Sequence, residues 1–249
     1  MIALRRPAHP AVLVRRAGAA TATLRTAWTS GQTPKVLKSL YGHAEVKQAL
    51  KTAQHDKCAY CETRDARSPG AVEHYRPKGG WRQNKGDTLQ PPGYFWLAYR
   101  WKNLLFACTM CNDGGHKENR FPLDNPATRA TPSAPSIRRE SPLLLDPYSG
   151  VDPSRHIEWN ADVPRTHAAS PRGAATIDVF GLDRDRGLID RRRDVLRDAT
   201  FAVTQVEQNT RPGSLERAAL RAVFLRYLED SAEYAAMLRA NLRQRIHAL

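Results

Sequence analysis

KCAYCE at residues 57–62 opens the most informative stretch of this 249-residue sequence, and VEHYRPK at 72–78 and NLLFACTMCN at 103–112 complete it. All four cysteines of the chain lie in this stretch as two C-x-x-C pairs: Cys58, Cys61, Cys108 and Cys111. Two such pairs supply the four thiolates that a tetrahedral structural Zn²⁺ requires. Two disulfides or four free thiols are the alternatives, and a reducing compartment disfavours disulfides. The long gap between the pairs indicates that the metal clamps the two edges of a larger insertion.

Length and composition predict a folded, soluble protein. Hydrophobic residues make up 41% and charged residues 26% of the chain, which is close to globular averages, and 249 residues allow one large domain or two small ones. No run approaches the roughly 18 apolar residues needed to cross a bilayer, and Arg15 and Arg16 interrupt any signal-peptide core. We therefore expect a cytoplasmic protein without a membrane partner.

The net charge of +14 is concentrated in the first half of the chain, where residues 1–44 contain seven Lys or Arg and no acid. Such asymmetry is typical of proteins with a polyanionic partner, and nucleic acid is the first candidate. A basic surface that only aids solubility explains the charge equally well.

The segments around the cysteines have helical and aromatic patterns. Residues 1–32 are weakly patterned, whereas the apolar spacing in residues 36–53 predicts a short helix, a break at Gly42 and a second helix. Five aromatics crowd residues 94–101, which predicts a short helix that bridges the two halves of the site. Such rings can stack on unpaired bases, but burial in the core is the favoured interpretation.

The second half of the chain shows no catalytic pattern. Residues 124–150 are rich in proline and serine, which predicts a linker or an extended wrapping segment. Four elements are predicted beyond it: strands at 157–159 and 175–179, a helix over 188–206, and a helix from the N-cap Ser214 to Ile246. The arginines at 191–193 lie in a nearly neutral segment, since residues 183–198 carry six Arg and five Asp, so intrahelical ion pairs are favoured over a nucleic-acid patch. This half is predicted to be a scaffold or a partner-docking region.

Glu73 and His74 are the candidate catalytic pair. Phosphodiester hydrolysis needs a base that activates water and a cation that stabilises charge on the phosphate and the leaving oxygen. Neutral His74 suits the base, and Glu73 suits a divalent ion such as Mg²⁺ or Mn²⁺. Neighbouring side chains on a strand point to opposite faces, so both can address one phosphate only where the chain bends, as it can before Pro77.

Further candidates follow the second cysteine pair. Asn112 comes directly after the last cysteine, so a zinc site would fix its position as a metal ligand, and His116 lies four residues further on. Gly114 and Gly115 weaken a helix between them, which makes Asn112 the stronger candidate. Asn103 is expected to hold backbone in the connecting loop. Four basic residues are candidate phosphate contacts: Arg76, Lys78, Lys102 and Lys117.

These residues resemble the motifs of HNH endonucleases, which have the ββα-metal (His-Me finger) fold, here with a four-cysteine zinc site. The resemblance implies that His74 is the general base and Glu73 the metal-binding acid that precedes it. It also implies that Asn103 is the central structural asparagine, Asn112 a metal ligand and His116 an auxiliary ligand.

Over most of its length, the chain also resembles the HNH nucleases of bacterial Septu and retron-associated anti-phage systems. It rests on six strings: KCAYCE (57–62), EHYRPK (73–78), WLAYRWKNL (96–104), RFPL (120–123), LLLDP (143–147) and TIDVFGL (176–182). Members of that subgroup are paired with an SMC-like ATPase that controls the nuclease, which the resemblance implies here as well. The Gly114-Gly115 insertion departs from the usual spacing before Lys117.

The sequence therefore predicts an α+β, mainly helical fold: a zinc-stapled ββα-metal (HNH) nuclease core with flanking helices. The predicted regions are a basic N-terminal arm with helices (1–56), the nuclease core with its zinc site (57–123), a Pro-rich linker (124–150) and a mainly helical scaffold or partner-docking region (151–249).

The predicted function is metal-dependent hydrolysis of DNA by the effector of an anti-phage system. Two alternatives stay open. The same site could cleave RNA such as tRNA, or the protein could be a non-catalytic, zinc-stapled module that binds nucleic acid or a partner.

Overall fold

A computed structural model describes residues 1–64, 70–112 and 115–249 of the chain, so Gly114 lies outside the described residues. The helices are α1 (Ala11–Thr29), α2 (Lys38–Tyr41), α3 (Ala44–Ala53), α4 (Thr109–Asn112), α5 (Pro171–Phe180), α6 (Arg186–Asn209), α7 (Leu215–Phe224) and α8 (Ala235–Ala248). The strands form two antiparallel pairs, β1 (Ala71–His74) with β2 (Leu104–Ala107) and β3 (Ile157–Asn160) with β4 (Val163–Thr166). The predicted α+β class is confirmed. In the described ranges, every helix is too short or too polar to span a bilayer.

The pair of β1 and β2 runs from Ala71 opposite Ala107 to His74 opposite Leu104. β2 is a continuous apolar run whose four residues are all buried, as expected for a strand covered on both faces. α3 packs against both strands. α4 begins two residues after β2, and two 3₁₀ turns lie between β1 and β2.

The N-terminal segment, which has no clear sequence pattern, forms α1. Its residues Val12, Leu13 and Leu24 are buried in the same core as the rest of the chain, and α1 packs against α2, α3 and the turn at Phe95–Leu97. The predicted short helix, break and second helix are confirmed as α2, Gly42 and α3.

Residues 94–101 form no α-helix, contrary to the prediction. They contain the 3₁₀ turn Phe95–Leu97 and lead into a second one at Trp101–Asn103. All five aromatic rings are buried, which agrees with the core interpretation. Packing of large rings, rather than backbone periodicity, organises this segment.

Residues 124–150 wrap around the core instead of forming a free linker. Leu144 is fully buried, and the hydroxyl of Tyr75, directly after β1, donates to its carbonyl at 2.6 Å. The buried carboxylate of Glu140 accepts a hydrogen bond from the Tyr94 hydroxyl at 2.8 Å. The segment therefore supports the residues that follow β1.

The strand predicted at residues 157–159 is confirmed as β3, but the strand predicted at 175–179 is wrong because these residues lie in α5. End signals explain the helix. The Ser170 side chain accepts a hydrogen bond from the first turn at 3.3 Å, Pro171 begins the helix, and Gly181 ends it with a φ of +58°. These start and stop signals outweigh the β-branched residues between them.

The helix predicted over residues 188–206 is confirmed as α6, and Ser214 is confirmed as the N-cap of α7, whose first turn donates to its hydroxyl at 3.2 Å. The helix beyond it is not continuous, because a 3₁₀ turn at Leu225–Leu228 separates α7 from α8. α8 begins after Tyr234, which has a φ of +55°. The Tyr234 hydroxyl lies 3.1 Å from the Thr63 hydroxyl, so a tertiary contact decides this break.

Two of the three clustered arginines of α6 form ion pairs. Arg193 pairs with Asp190 within the helix at 3.1 Å, and Arg191 pairs with Glu233 at 3.1 Å. Arg192 differs because its side chain is buried, donates to a backbone carbonyl at 2.6 Å and lies over an aromatic ring. The prediction of intrahelical ion pairs is therefore confirmed for Arg193, whereas Arg191 pairs with a residue outside α6.

Gly93 occupies a position where the fold requires glycine. Its φ is +66°, and a Cβ there would lie 2.3 Å from Gly80 N and 2.8 Å from Pro77 O, in the turn after β1. We expect Gly93→Ala to lower the free energy of unfolding by more than the ~1–2 kcal/mol cost of a left-handed backbone alone, as measured by urea denaturation. Gly213→Ala is the matched control, because Gly213 has a φ of +74° and open space around a Cβ. Equal losses in the two variants would contradict the close packing.

Candidate functional site

The four cysteines meet in one buried cluster. Their Sγ atoms lie within 4.8 Å of one another, and those of Cys61 and Cys108 are 3.7 Å apart. Zn–S bonds of about 2.3 Å in a tetrahedral site place the sulfurs roughly 3.8 Å apart, so the cluster fits Zn²⁺. Burial raises the pKa of the Cys58 thiol, and coordination to a cation would offset this effect by favouring the thiolate.

Two backbone elements present the cysteines. The first pair follows α3 in a knuckle where Cys58 N donates to Thr63 O at 3.0 Å. The second pair spans the end of β2 and the start of α4, where Cys111 N lies 3.5 Å from the Sγ of Cys108. Gln54 joins the two elements, because its side-chain amide donates at 2.9 Å to a carbonyl before the first pair and at 2.8 Å to a carbonyl of β2.

Buried charges stabilise the first knuckle. Glu62, next to Cys61, is 2% exposed and contacts the amino group of Met1 at 2.6 Å and Lys57 Nζ at 3.2 Å. Burial alone would raise the pKa of Glu62, but these two cations lower it. The ionised carboxylate therefore ties two cationic groups to the knuckle.

A cavity, which we call the Glu73 cavity, lies beside the end of α4. It encloses about 320 Å³, and its walls include Glu73, His74, Lys78 and Asn112. The structure thus brings together three candidate catalytic residues and one candidate phosphate contact. β1 ends at His74 and the chain bends from Tyr75 onward, which allows Glu73 and His74 to line one cavity.

His74 is held as a neutral base. It is 2% exposed, and burial, aided by the charge of Lys78, lowers its pKa to about 3. Nε2 lies 2.9 Å from the carbonyl of Ala98. Because a carbonyl can only accept, Nε2 carries the proton and Nδ1 keeps its lone pair. The Tyr41 ring packs edge-on against the imidazole, with centroids 4.5 Å apart.

Glu73 has a buried lysine as its partner. Lys117 is fully buried, and its Nζ donates to Glu73 Oε1 at 2.5 Å and to the His74 carbonyl at 2.9 Å. Lys117 is therefore buried against Glu73. A contact with a phosphate, which the sequence analysis predicts for Lys117, would instead require an accessible side chain. The ammonium of Lys117 orients the carboxylate and the end of β1 together.

The two asparagines have different positions. Asn112 lines the Glu73 cavity from the end of α4. Asn103 is buried; its Oδ1 accepts from Arg76 N at 2.8 Å, and its Nδ2 donates to the carbonyls of Arg76 at 3.1 Å and Leu97 at 3.2 Å. Asn103 therefore fixes the bend after β1, as the backbone-holding interpretation predicts, and acts on Glu73 and His74 by positioning them.

Three other candidates lie apart from the Glu73 cavity. His116 lines a different cavity, whose walls include three of the four cysteines. Its Nε2 lies 3.5 Å from a carboxylate oxygen of Asp185. Arg76 pairs with the buried Glu140 at 2.7 Å, so its charge already has a structural partner. Lys102 is exposed in the Trp101–Asn103 turn. The structure does not bring these three side chains to Glu73 and His74.

Three further residues of the Glu73 cavity are not indicated by the sequence: Arg82, Glu118 and Asn119. Arg82 Nη1 pairs with Glu118 Oε2 at 3.1 Å, and Glu118 N donates to Asn112 O at 3.0 Å. Glu118 also has a φ of +46°. No motif marks these residues, and Arg82 meets Glu118 across 36 residues of sequence.

The chain matches no protein-family model and no solved structure. It is similar to the Septu protein PtuB of Bacillus mycoides (strain KBAB4), with 36% identity over 194 residues. The aligned residues make up 77% of this chain and 61% of that protein, so the chain spans less than two thirds of this relative's length. The similarity supports the resemblance to Septu proteins that the sequence motifs indicate.

We expect purified protein to contain one Zn²⁺ per chain by elemental analysis. Structural Zn²⁺ contributes on the order of 10 kcal/mol in small metallodomains, so Cys108→Ala should lose the metal and the cooperative thermal transition. Met110→Ala is the matched control, because Met110 lies between the second pair of cysteines and is 50% exposed. Folded wild-type protein without zinc would contradict this site.

Lys117→Met is expected to lower the free energy of unfolding by about 3–5 kcal/mol, because it leaves the buried Glu73 carboxylate without its partner. Urea denaturation in magnesium-free buffer with zinc measures the loss, and adding Glu73→Gln should recover part of it. Arg82→Met is the control, because the Arg82–Glu118 pair is 30% and 40% exposed and such pairs contribute about 0–1 kcal/mol. A loss no larger than the control's would show that the buried pair is not stabilising.

Proposed function

We propose that this protein is a Septu protein related to PtuB and that β1, β2 and α4 form the ββα-metal core of an HNH endonuclease. One observation carries the proposal: Glu73, a neutral His74 and Asn112 line a single cavity at the end of this strand–strand–helix unit. The identity of 36% to PtuB over 77% of this chain supports a role in anti-phage defence.

His74 is the proposed general base. Its Nδ1 accepts a proton from the attacking water, while the bond from Nε2 to the Ala98 carbonyl, 2.9 Å long, keeps the ring in place. Water oxygen bonds to phosphorus as the bond to the leaving 3′-oxygen breaks, that oxygen takes up a proton from solvent water, and His74 returns its proton to solvent. The products carry 5′-phosphates.

Glu73 and Asn112 offer the oxygen ligands that Mg²⁺ or Mn²⁺ prefers, with water completing the coordination. A bound divalent ion would stabilise the negative charge on the phosphate and the leaving oxygen. Lys117 contacts one carboxylate oxygen of Glu73 and leaves the other for a metal. Lys78, on the wall of the same cavity, supplies a point charge for a phosphate.

DNA is the proposed substrate and a cytoplasmic SMC-like ATPase the proposed partner, both on the basis of the family resemblance. The second half of the chain offers apolar side chains for docking: Phe201 is 64%, Leu215 91% and Val223 52% exposed.

Plasmid cleavage tests the proposal. Wild-type protein with Mg²⁺ or Mn²⁺ should nick or cut plasmid, and His74→Ala should reduce the rate by at least about 10²-fold because it removes the base. His167→Ala is the control, since His167 is 48% exposed and pairs with Glu158 on the β3–β4 hairpin. If His74→Ala cuts plasmid as fast as wild type, His74 is not the general base.

Labelled DNA and RNA of the same sequence separate the remaining alternatives. Cleavage of RNA alone would replace DNA as the substrate while keeping His74 as the base. Nucleic-acid binding that weakens steeply with salt, without turnover in any metal, would identify a non-catalytic module instead.

A further inference from the structure

A larger groove, which we call the Trp28 groove, adjoins the Glu73 cavity. It encloses about 890 Å³, against about 320 Å³ for the Glu73 cavity, and its walls carry five apolar rings: Trp28, Pro34, Pro91, Pro92 and Phe95. The rings of Trp28 and Phe95 are 5.7 Å apart between centroids. Trp28 is 38% exposed and Phe95 only 2%. An accessible indole is therefore backed by a ring that belongs to the core.

Lys78 belongs to the walls of both the Trp28 groove and the Glu73 cavity. Its Nζ lies 5.1 Å from the centroid of the Tyr41 ring, and Tyr41 packs against His74 with centroids 4.5 Å apart. The groove therefore begins beside the residue proposed as the general base. A strand with one phosphate at His74 would place an adjoining nucleotide over the groove.

One of the residues that line the groove, Lys78, carries a charge. Burial lowers the pKa of Lys78, Glu73 raises it, and Lys38 lowers it further, so Lys78 interacts with one carboxylate and one other ammonium group. Residues 1–44, which supply Trp28 and Lys38, contain no acid. Apolar rings beside a lysine match a ligand that has both flat rings and negative charge. An unpaired nucleotide has these properties, whereas an apolar peptide lacks the charge.

We propose that the Trp28 groove binds an unpaired nucleobase next to the scissile phosphate, with the base stacked on Trp28 and a phosphate at Lys78. This inference rests on the proposed nuclease function, because it places the scissile strand at the Glu73 cavity. Bases inside a continuous duplex are stacked on one another and cannot reach Trp28. The groove therefore selects single-stranded or bulged sites, and it does so with little sequence preference because every base has a flat face.

Fluorescence anisotropy with a labelled single-stranded oligonucleotide, and with the same sequence as a duplex, tests the proposal in magnesium-free buffer. Stacking on one aromatic side chain contributes about 5- to 150-fold in affinity, so Trp28→Leu should weaken single-strand binding by roughly that factor and duplex binding much less. Trp28→Phe keeps a ring and should lose less. Phe201→Leu, which removes a 64% exposed ring from α6, is the matched control and should bind both ligands like wild type.

Three results would overturn the groove as a base-binding site: unchanged single-strand affinity in Trp28→Leu, equal weakening for single strand and duplex, or no binding of either by wild type. Hydrolysis of bis(p-nitrophenyl) phosphate by wild type and His74→Ala tests the catalytic proposal separately. If the wild-type protein hydrolyses neither this diester nor nucleic acid, the proposed nuclease function is wrong. The anisotropy comparison would still decide whether Trp28 stacks on bases.

Discussion

The approach of four sulfur atoms to within 4.8 Å of one another is the constraint on which the rest of the site depends. One cysteine pair follows α3, and the other joins β2 to α4, so the cluster ties together the two ends of the segment that contains β1. Asn112 directly follows the last cysteine and reaches the Glu73 cavity for that reason. A metal that holds the cluster would position the candidate catalytic residues without touching them.

Buried ionic groups are the second determinant of this region. Removing a charge from water costs several kcal/mol unless partners replace the lost hydration, and Lys117 with Glu73, like Lys57 with Glu62, satisfies that requirement. The same low-polarity environment keeps His74 uncharged. Burial of the His74 imidazole, which has no acidic partner, therefore favours its neutral form.

The N-terminal region is part of the site and not an appendage to it. α1 packs on the turn at Phe95–Leu97, and Trp28, near its end, completes a groove that shares Lys78 with the Glu73 cavity. Buried residues from Val12 to Ile246 belong to one continuous core. One basic residue of this acid-free segment, Lys38, interacts electrostatically with Lys78 of the Glu73 cavity.

Much of the metal cluster and of the catalytic candidates could be inferred from residue spacing, because C-x-x-C pairs and the residues directly next to them have local geometry. β3 and α6 were predictable from local sequence patterns, whereas α5 required weighing end signals against β-branched residues. The positions of Lys117, His116 and Trp28 could not be inferred. Lys117 meets Glu73 across 44 residues of sequence, and only the folded chain decides which charges are buried, which are paired and which rings stay accessible.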